Sequence, residues 1–427
     1  MILRVINRMA MLTALWAPAL VAQPRIAGDW EMTHRQLSSV GYFMLHIDQA
    51  GDQVSGSFGP VMLTGTFRNG VLKATSDERG RAGSLTATVK GDEMKGRGQD
   101  EEGPFTFTAR LPLPATGSPR SIQYAPIEYQ HYFSGNTRPA LHIGAGDTVA
   151  TTSVDAGGVD ESGKRRTSPG NPLTGPFYIE GAWPGDVIAV KIVRLRLNRN
   201  SAVSRGSISA SALTPGYFRT EKIDRNFDSD WHLDRDAGVA RLAAPTDRLK
   251  GFTVTLKPML GCIGVAPRDE ESVRTGSLGE FGGNMDYYQF GEGATIYLPV
   301  FHPGALLYLG DAHAVQGDGE LTGDALETSA AFSFTVQVLK DKQFIDGPRA
   351  ENAQYRMASG IANSLTEAQQ GATTNLARWL EEDYKLTANE VAVVLGSSIH
   401  YDIAEVVDQF VHVVAKIEKG TLAKIRP

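Results

Sequence analysis

The 427-residue sequence holds one cysteine, Cys262. An intrachain disulfide is therefore impossible, and so is a zinc site built from several cysteines. Concentrated positive charge is also missing. The net charge is −6 and the only basic run is Lys164-Arg165-Arg166. A nucleic-acid partner needs a cationic face, so none is expected. Beyond the first two dozen residues no stretch is long and apolar enough to cross a bilayer. Glycine is abundant, at 46 residues against 21 prolines. It clusters between short apolar runs, as in a turn-rich β protein.

The opening residues have the layout of an export signal. Arg4 and Arg8 supply positive charge, Met9 to Leu20 is mostly apolar, and Leu20-Val21-Ala22 offers a cleavage site. Residues 1–22 are therefore expected to be removed, leaving a soluble periplasmic or secreted protein with no membrane association. Residues 23–115 read as an accessory β-domain. Tyr42–Ile47, Val54–Phe58 and Leu85–Val89 alternate with period two, and Gly51-Asp52, Asn69-Gly70 and Gly91-Asp92 are hairpin signals. A small antiparallel barrel or sandwich is expected, followed by a linker at Leu111–Pro119.

Residues 120–427 read as a larger, β-sandwich-like domain with C-terminal helices, so the whole chain is mainly β (a β-rich α+β protein). Strands are expected at Asp147–Val154, Phe177–Glu180, Val187–Ile192, Phe252–Leu256, Ala294–Leu298 and Ala331–Val336. The segment from Asn198 to Thr246 is polar and irregular, in the manner of a lid or insertion. Ser364-x-x-Glu367 and Thr387-x-x-Glu390 are capping boxes that predict two helices. Val411–Ile417 reads as a closing strand.

The densest chemistry lies between Gly310 and Glu320. If the strand before it persists to His313, Asp311 and His313 share a face, as metal ligands or as a proton-transfer pair. Gly317 and Gly319 allow a turn that returns Asp318 and Glu320 to the same strand end. Three further strings are polar and glycine-rich. Asp155 precedes Gly157-Gly158. Asn171 to Pro176 is an irregular loop. Gly282-Gly283-Asn284-Met285-Asp286 suits an oxyanion, or a plain turn. Glu327 sits ahead of a strand, and Cys262 has apolar neighbours that favour packing over nucleophilicity. Ser397-Ser398-Ile399-His400 lacks a nucleophile elbow.

Three of these strings, in this order, resemble the acetamidase/formamidase family. They are Asn171–Pro176 with Glu180-Gly181-Ala182 and Pro184-Gly185-Asp186; Gly282–Asp286; and Gly310–Glu320. The resemblance covers about residues 125–425. It implies an oligomeric, β-rich hydrolase that cleaves the C–N bond of short linear amides to a carboxylate and ammonia. It also implies a divalent metal ion, zinc being the candidate, held by Asp155, Asp311 and His313. Glu320 and Glu327 are then the acid/base candidates, with Asn284 in the catalytic set. The export signal and the residue 23–115 domain depart from the family pattern and leave the acyl group open. Two alternatives remain: a metal-free enzyme with Cys262 as nucleophile, and an exported non-catalytic binding protein on an amidase-like scaffold.

Overall fold

The structure is a computed structural model. It describes residues 25–112, 118–224, 227–340, 342 and 347–426. The expected signal at residues 1–22 and the middle of the expected linker lie outside them. No helix among the described residues is long and apolar enough to cross a membrane. The described residues divide into two compact units, one built from those between 25 and 111 apart from Ser38–Tyr42, the other from the remainder.

The first unit is a closed barrel of eight consecutive antiparallel strands: β1 Gly28–Gln36, β2 Ser39–Ala50, β3 Gln53–Phe58, β4 Val61–Arg68, β5 Val71–Glu78, β6 Arg81–Lys90, β7 Glu93–Asp100 and β8 Gly103–Arg110. Every connection is a two-residue hairpin. At Asn69-Gly70 both residues have positive φ (50° and 76°). This is the primed turn whose twist matches that of the flanking strands. Pairing of β1 with β8 closes the barrel and removes both sheet edges. Inward positions alternate with exposed ones and bury Trp30, Met32, Leu45, Ile47, Phe67, Leu72 and Met94. The Trp30 indole N–H donates to the Ile26 carbonyl at 2.9 Å, so the largest interior side chain leaves no polar atom unpaired.

The second unit packs two large sheets about a common apolar core. Ile188, Val190, Ile296, Leu298 and Phe334 come from one sheet, and Phe177, Cys262, Ile263, Leu307 and Leu309 from the other. The expected strands are present with shifted ends, at Thr148–Thr152, Leu173–Ile179, Val187–Leu197, Thr295–Pro299 and Ala330–Leu339. The expected Phe252–Leu256 strand shrinks to Val254–Thr255. The segment from Asn198 to Thr246 is more ordered than its composition suggests. Ser201–Val203, Asp230–Asp234 and Val239–Leu242 extend one sheet at its edge. The helix Leu365–Tyr384 begins where the Ser364 side chain accepts the Glu367 N–H, and Ala388–Ser398 begins with a complete Thr387/Glu390 capping box. Ala368, Ala372, Leu376, Trp379 and Leu380 form the buried stripe of the longer helix, against Ala415 and Ile417 of the strand Val411–Glu418.

Candidate active site

The strand Leu307–His313 is buried along its whole length, between Met259–Gly264 and Glu327–Thr328. Alternation places Asp311 and His313 on one face, and His313 Nε2 lies 3.6 Å from Asp311 Oδ1. The short strand Glu327–Thr328 sets Glu327 directly opposite His313 in the register. Its Oε1 reaches Nε2 at 3.1 Å. Asp286, just beyond the strand Gly282–Asn284, brings Oδ1 to 3.8 Å from the same nitrogen. Opposite them lies Gly261. A Cβ there would stand 2.2 Å from Asp286 Oδ1 and 3.0 Å from both Asp311 Oδ2 and His313 Cε1. The absence of a side chain at Gly261 is what lets the three groups converge.

The orientation of His313 is fixed from behind. Gln316 Nε2 donates to the carbonyls of Asp286 and Ala404, which turns Gln316 Oε1 toward the ring. An amide oxygen only accepts, so His313 Nδ1 carries a proton and donates it over 2.9 Å. Nε2 is thereby presented to the carboxylates. The acids are held in turn. Asn171 Nδ2 donates to Asp311 Oδ2 at 3.1 Å and to Asn284 Oδ1 at 2.9 Å. Asn284 Nδ2 donates to Asp286 and to Asp408 Oδ2. Asn284, expected in the catalytic set, is thus a clamp on two acids that also lines the cavity.

This concentration of charge is expensive. Burial would hold the His313 imidazole low, but Glu327 and Asp311 outweigh it and raise its pKa well above the ordinary value. Burial and neighbouring anions raise Asp286 against the pull of His313. Glu320 is pushed up to about 8 and Glu327 to about 7, each by burial first, with His313 opposing. Glu405 rises to about 10 through burial and the nearby Asp408. Asp286 Oδ1, Asp311 Oδ1, Glu327 Oε2 and both Glu405 oxygens are buried with no hydrogen-bond partner. Such orphaned oxygens mark a place where a cation fits. Two sets have ligand atoms within 4.8 Å of one another around His313: one with Asp311 and Glu327, one with Asp286 and Glu320. Asn171, Asn284, Asp311, Glu320, Glu327 and Asp408 line a cavity of about 150 Å³ beside them.

Asp155, expected as a third metal ligand, has another role. Arg199 Nη2 pairs with its Oδ2 at 2.7 Å, and the Val159 N–H donates to its Oδ1 at 2.8 Å. Both oxygens are committed, and Asp155 belongs to none of the close acid/imidazole sets among the described residues. The strand before it ends at Thr152, and the chain turns to meet a guanidinium 44 residues ahead. Asp286 stands at the cluster instead. The glycines before it are strand residues paired with Ile263 and Gly264, not a free oxyanion loop. Cys262 is fully buried, donates to the Thr275 carbonyl at 3.3 Å, and has its pKa raised by burial. Each of these argues against a nucleophile. Glu405 and Asp408 were not anticipated, and no local motif announces them.

Residues 269–409 match the acetamidase/formamidase family. A formamidase from Methylophilus methylotrophus is 36% identical over 211 residues, covering 40% of this chain and 52% of that protein. An acetamidase from Mycolicibacterium smegmatis is 39% identical over 221 residues, covering 40% and 54%. The chain thus spans about half the length of the curated relatives it matches. A solved structure of a predicted acetamidase/formamidase from Thermoanaerobacter tengcongensis superposes with a TM-score of 0.61 at 27% identity, over 72% of this chain and 99% of that one. An acetamidase from Yersinia enterocolitica gives 0.60 at 27%, over 73% and 96%. Residues 269–409 thus resemble the acetamidase/formamidase family in sequence, and the second unit shares the fold of these solved relatives over almost their full length.

Proposed function

We propose that the second unit hydrolyses the C–N bond of a short linear amide, releasing a carboxylate and ammonia. The observation that carries this reading is the convergence of His313 with Asp311, Glu327, Asp286 and Glu320 beside a cavity of about 150 Å³. That volume equals roughly five liquid-water volumes at ~30 Å³ each. It suits an amide of a few heavy atoms. The names of the relatives, formamidase and acetamidase, support the same class.

A divalent cation fits the donor set, and zinc is well served by imidazole with carboxylates. His313, Asp311 and Glu327 would hold it, because that set contains two of the orphaned oxygens. When bound, such an ion polarises the amide carbonyl. Glu320, whose carboxyl burial pushes up to about 8 in the metal-free cluster, is the group placed to hold a proton and deliver it to the departing nitrogen. Asn171 and Asn284 keep the acids aligned, and Gln316 keeps Nε2 of His313 facing inward. Export through residues 1–22 and a homo-oligomeric assembly complete the proposal. Cell fractionation and light scattering test those two points.

The experiment is an ammonia-release panel of formamide, acetamide and propionamide with the purified full chain, alongside elemental analysis. Expected are turnover of at least one amide, a bound divalent metal, and loss of activity on exhaustive chelation with recovery on metal return. No ammonia from any amide would sink the enzyme reading in favour of a non-catalytic binder. Full activity with no metal would sink the cation. Cys262→Ala is expected to retain activity, which separates this route from a thiol nucleophile.

A further inference from the structure

The barrel is packed at one end and open at the other. Its inward rows change character in the same direction. On β1 the row runs Trp30, Met32, His34, Gln36; on β5 it runs Leu72, Ala74, Ser76, Glu78; on β7 it runs Met94, Gly96, Gly98, Asp100. These strands are mutually parallel across the meander, so all three rows turn polar at one mouth. A barrel of eight strands has an interior that side chains can just fill, or that can hold one small ligand. Here the far end is filled, and a cavity of about 320 Å³ remains at the mouth. That is within the lower range of small-molecule sites.

The walls of this cavity are rings. The His34 ring lies 4.6 Å from Phe105, 6.1 Å from Phe43 and 6.4 Å from Phe58, and Phe43 meets Phe58 edge-on at 5.5 Å. Gly98 gives Phe105 its place, since a Cβ there would lie 2.2 Å from the ring. The rim is acidic. Glu78, Asp100, Glu101 and Glu102 face one cation, Arg81, which lies 3.8 Å from Glu101. Gln36 Nε2 and the N–H groups of Glu102 and Gly103 hold Asp100 Oδ1 in place. Glu78 and Glu102 have no ion-pair partner among the described residues. Neither ring nitrogen of His34 has a hydrogen-bond partner among them either. An apolar plug would need none of this polarity. Carboxylates around an aromatic box are the complement of a cation with a flat or alkylated body.

We propose that the open end of the barrel is a binding site for a small organic cation with a ring-sized apolar body, the rings of His34, Phe43, Phe58 and Phe105 taking the body and the acidic rim taking the charge. Nothing in amide hydrolysis requires this site.

The test is calorimetric titration of the full chain with benzamidine, with benzyl alcohol and benzoate as neutral and anionic probes of similar shape. Expected are saturable binding of benzamidine, binding of benzyl alcohol weaker by at least about tenfold, and none of benzoate. Glu102→Gln lies on an exposed turn and leaves the packed end untouched; it is expected to weaken benzamidine several-fold, and Phe105→Ala to abolish binding. Because the second unit also concentrates acids, the titration is repeated with Asp311→Asn, where binding must persist. The proposal is overturned if benzamidine shows no saturation at millimolar concentration or if all three probes bind alike. It is equally overturned if Glu102→Gln has no effect, or if Asp311→Asn removes the binding.

Discussion

The two units bury strands by opposite rules. At the barrel's packed end the interior is apolar, and the unit's one deeply buried acid is paired: Glu31 sits opposite Arg110 across the β1–β8 closure and bonds it through Oε2 at 2.9 Å, leaving one oxygen, Oε1, without a partner. In the second unit Asp286, Asp311, Glu320, Glu327 and Glu405 are all buried together, and several of their oxygens have no partner. An uncompensated buried charge costs several kcal/mol, so this unit, with five orphaned acid oxygens in one cluster against one in the barrel, carries the larger penalty. Burial raises the pKa values of Asp286, Glu320, Glu327 and Glu405, so these four hold their protons more tightly. The barrel spends the packed end of its interior on stability. The other unit gives up stability to hold a chemical site.

The largest expected effects come from exchanging these rules. Asp311→Asn keeps the shape, preserves an acceptor for Asn171, and suits the positive φ of 57° at that position. It also removes one charge from a crowded group. Ammonia release is expected to fall by about 10²–10³-fold or more, with a melting temperature equal to or above that of the parent. Trp30→Ala is its mirror image. It empties the barrel's largest interior side chain and is expected to cost about 3–5 kcal/mol, read as early loss of the barrel in denaturant. An Asp311→Asn protein that unfolds, or a Trp30→Ala protein that melts normally, would erase the contrast.

How much could be read from sequence follows the same division. Barrel contacts are between neighbours in the chain, so period-two strands and two-residue glycine turns carry most of the information. Asn69-Gly70, Gly51-Asp52 and Gly91-Asp92 are hairpin connections, and Tyr42–Ile47 lies within β2. In the second unit, Asp311, His313 and Glu320 were legible because a single string of eleven residues contains them. Glu327 was recognisable as an acid before a strand, but its pairing with His313 depends on register. Asp286 was visible only as the polar end of a glycine string. Glu405 and Asp408 reach Asp286 across more than a hundred residues of chain, a proximity no local pattern encodes. Asp155 failed for the same reason in reverse, since Arg199 is equally invisible from its neighbourhood. The segment from Asn198 to Thr246 hid its strands because three to five residues are too few to show alternation.

A smaller effect sharpens the difference in charge. Glu405 has its carboxyl raised to about 10, from an ordinary value near 4.5. The folded form therefore binds this proton more tightly than the unfolded form. Its contribution to stability is complete below about pH 4.5 and is lost as pH rises toward 10. Glu405→Gln cannot lose a proton. The variant is expected to match the parent near pH 4.5 and to exceed it by a margin that grows by up to about 1.4 kcal/mol per pH unit, reaching several kcal/mol at pH 8–9 and read as a rising difference in melting temperature. Melting curves of metal-free protein across this range check the sign. A gap that narrows with rising pH would mean that Glu405 is ionised in the folded protein.

The smallest effect returns to the barrel, where the backbone rather than a charge is under constraint. Gly70 has φ of 76°, beside Asn69 at 50°. A Cβ at position 70 has its nearest neighbour, the Val89 carbonyl oxygen, at 3.4 Å, so Gly70→Ala meets little steric crowding. What remains is the left-handed conformation itself, which costs an L-residue about 1–2 kcal/mol. Chemical denaturation is expected to show a loss of that size with amide turnover unchanged, because the strain is confined to one hairpin. Asn69→Gly is expected to stay within a few tenths of a kcal/mol of the parent, since glycine enters this region freely. If Gly70→Ala were as harmless as Asn69→Gly, the turn would not be what fixes the register of β4 against β5. The stability of the barrel would then rest on its apolar interior alone.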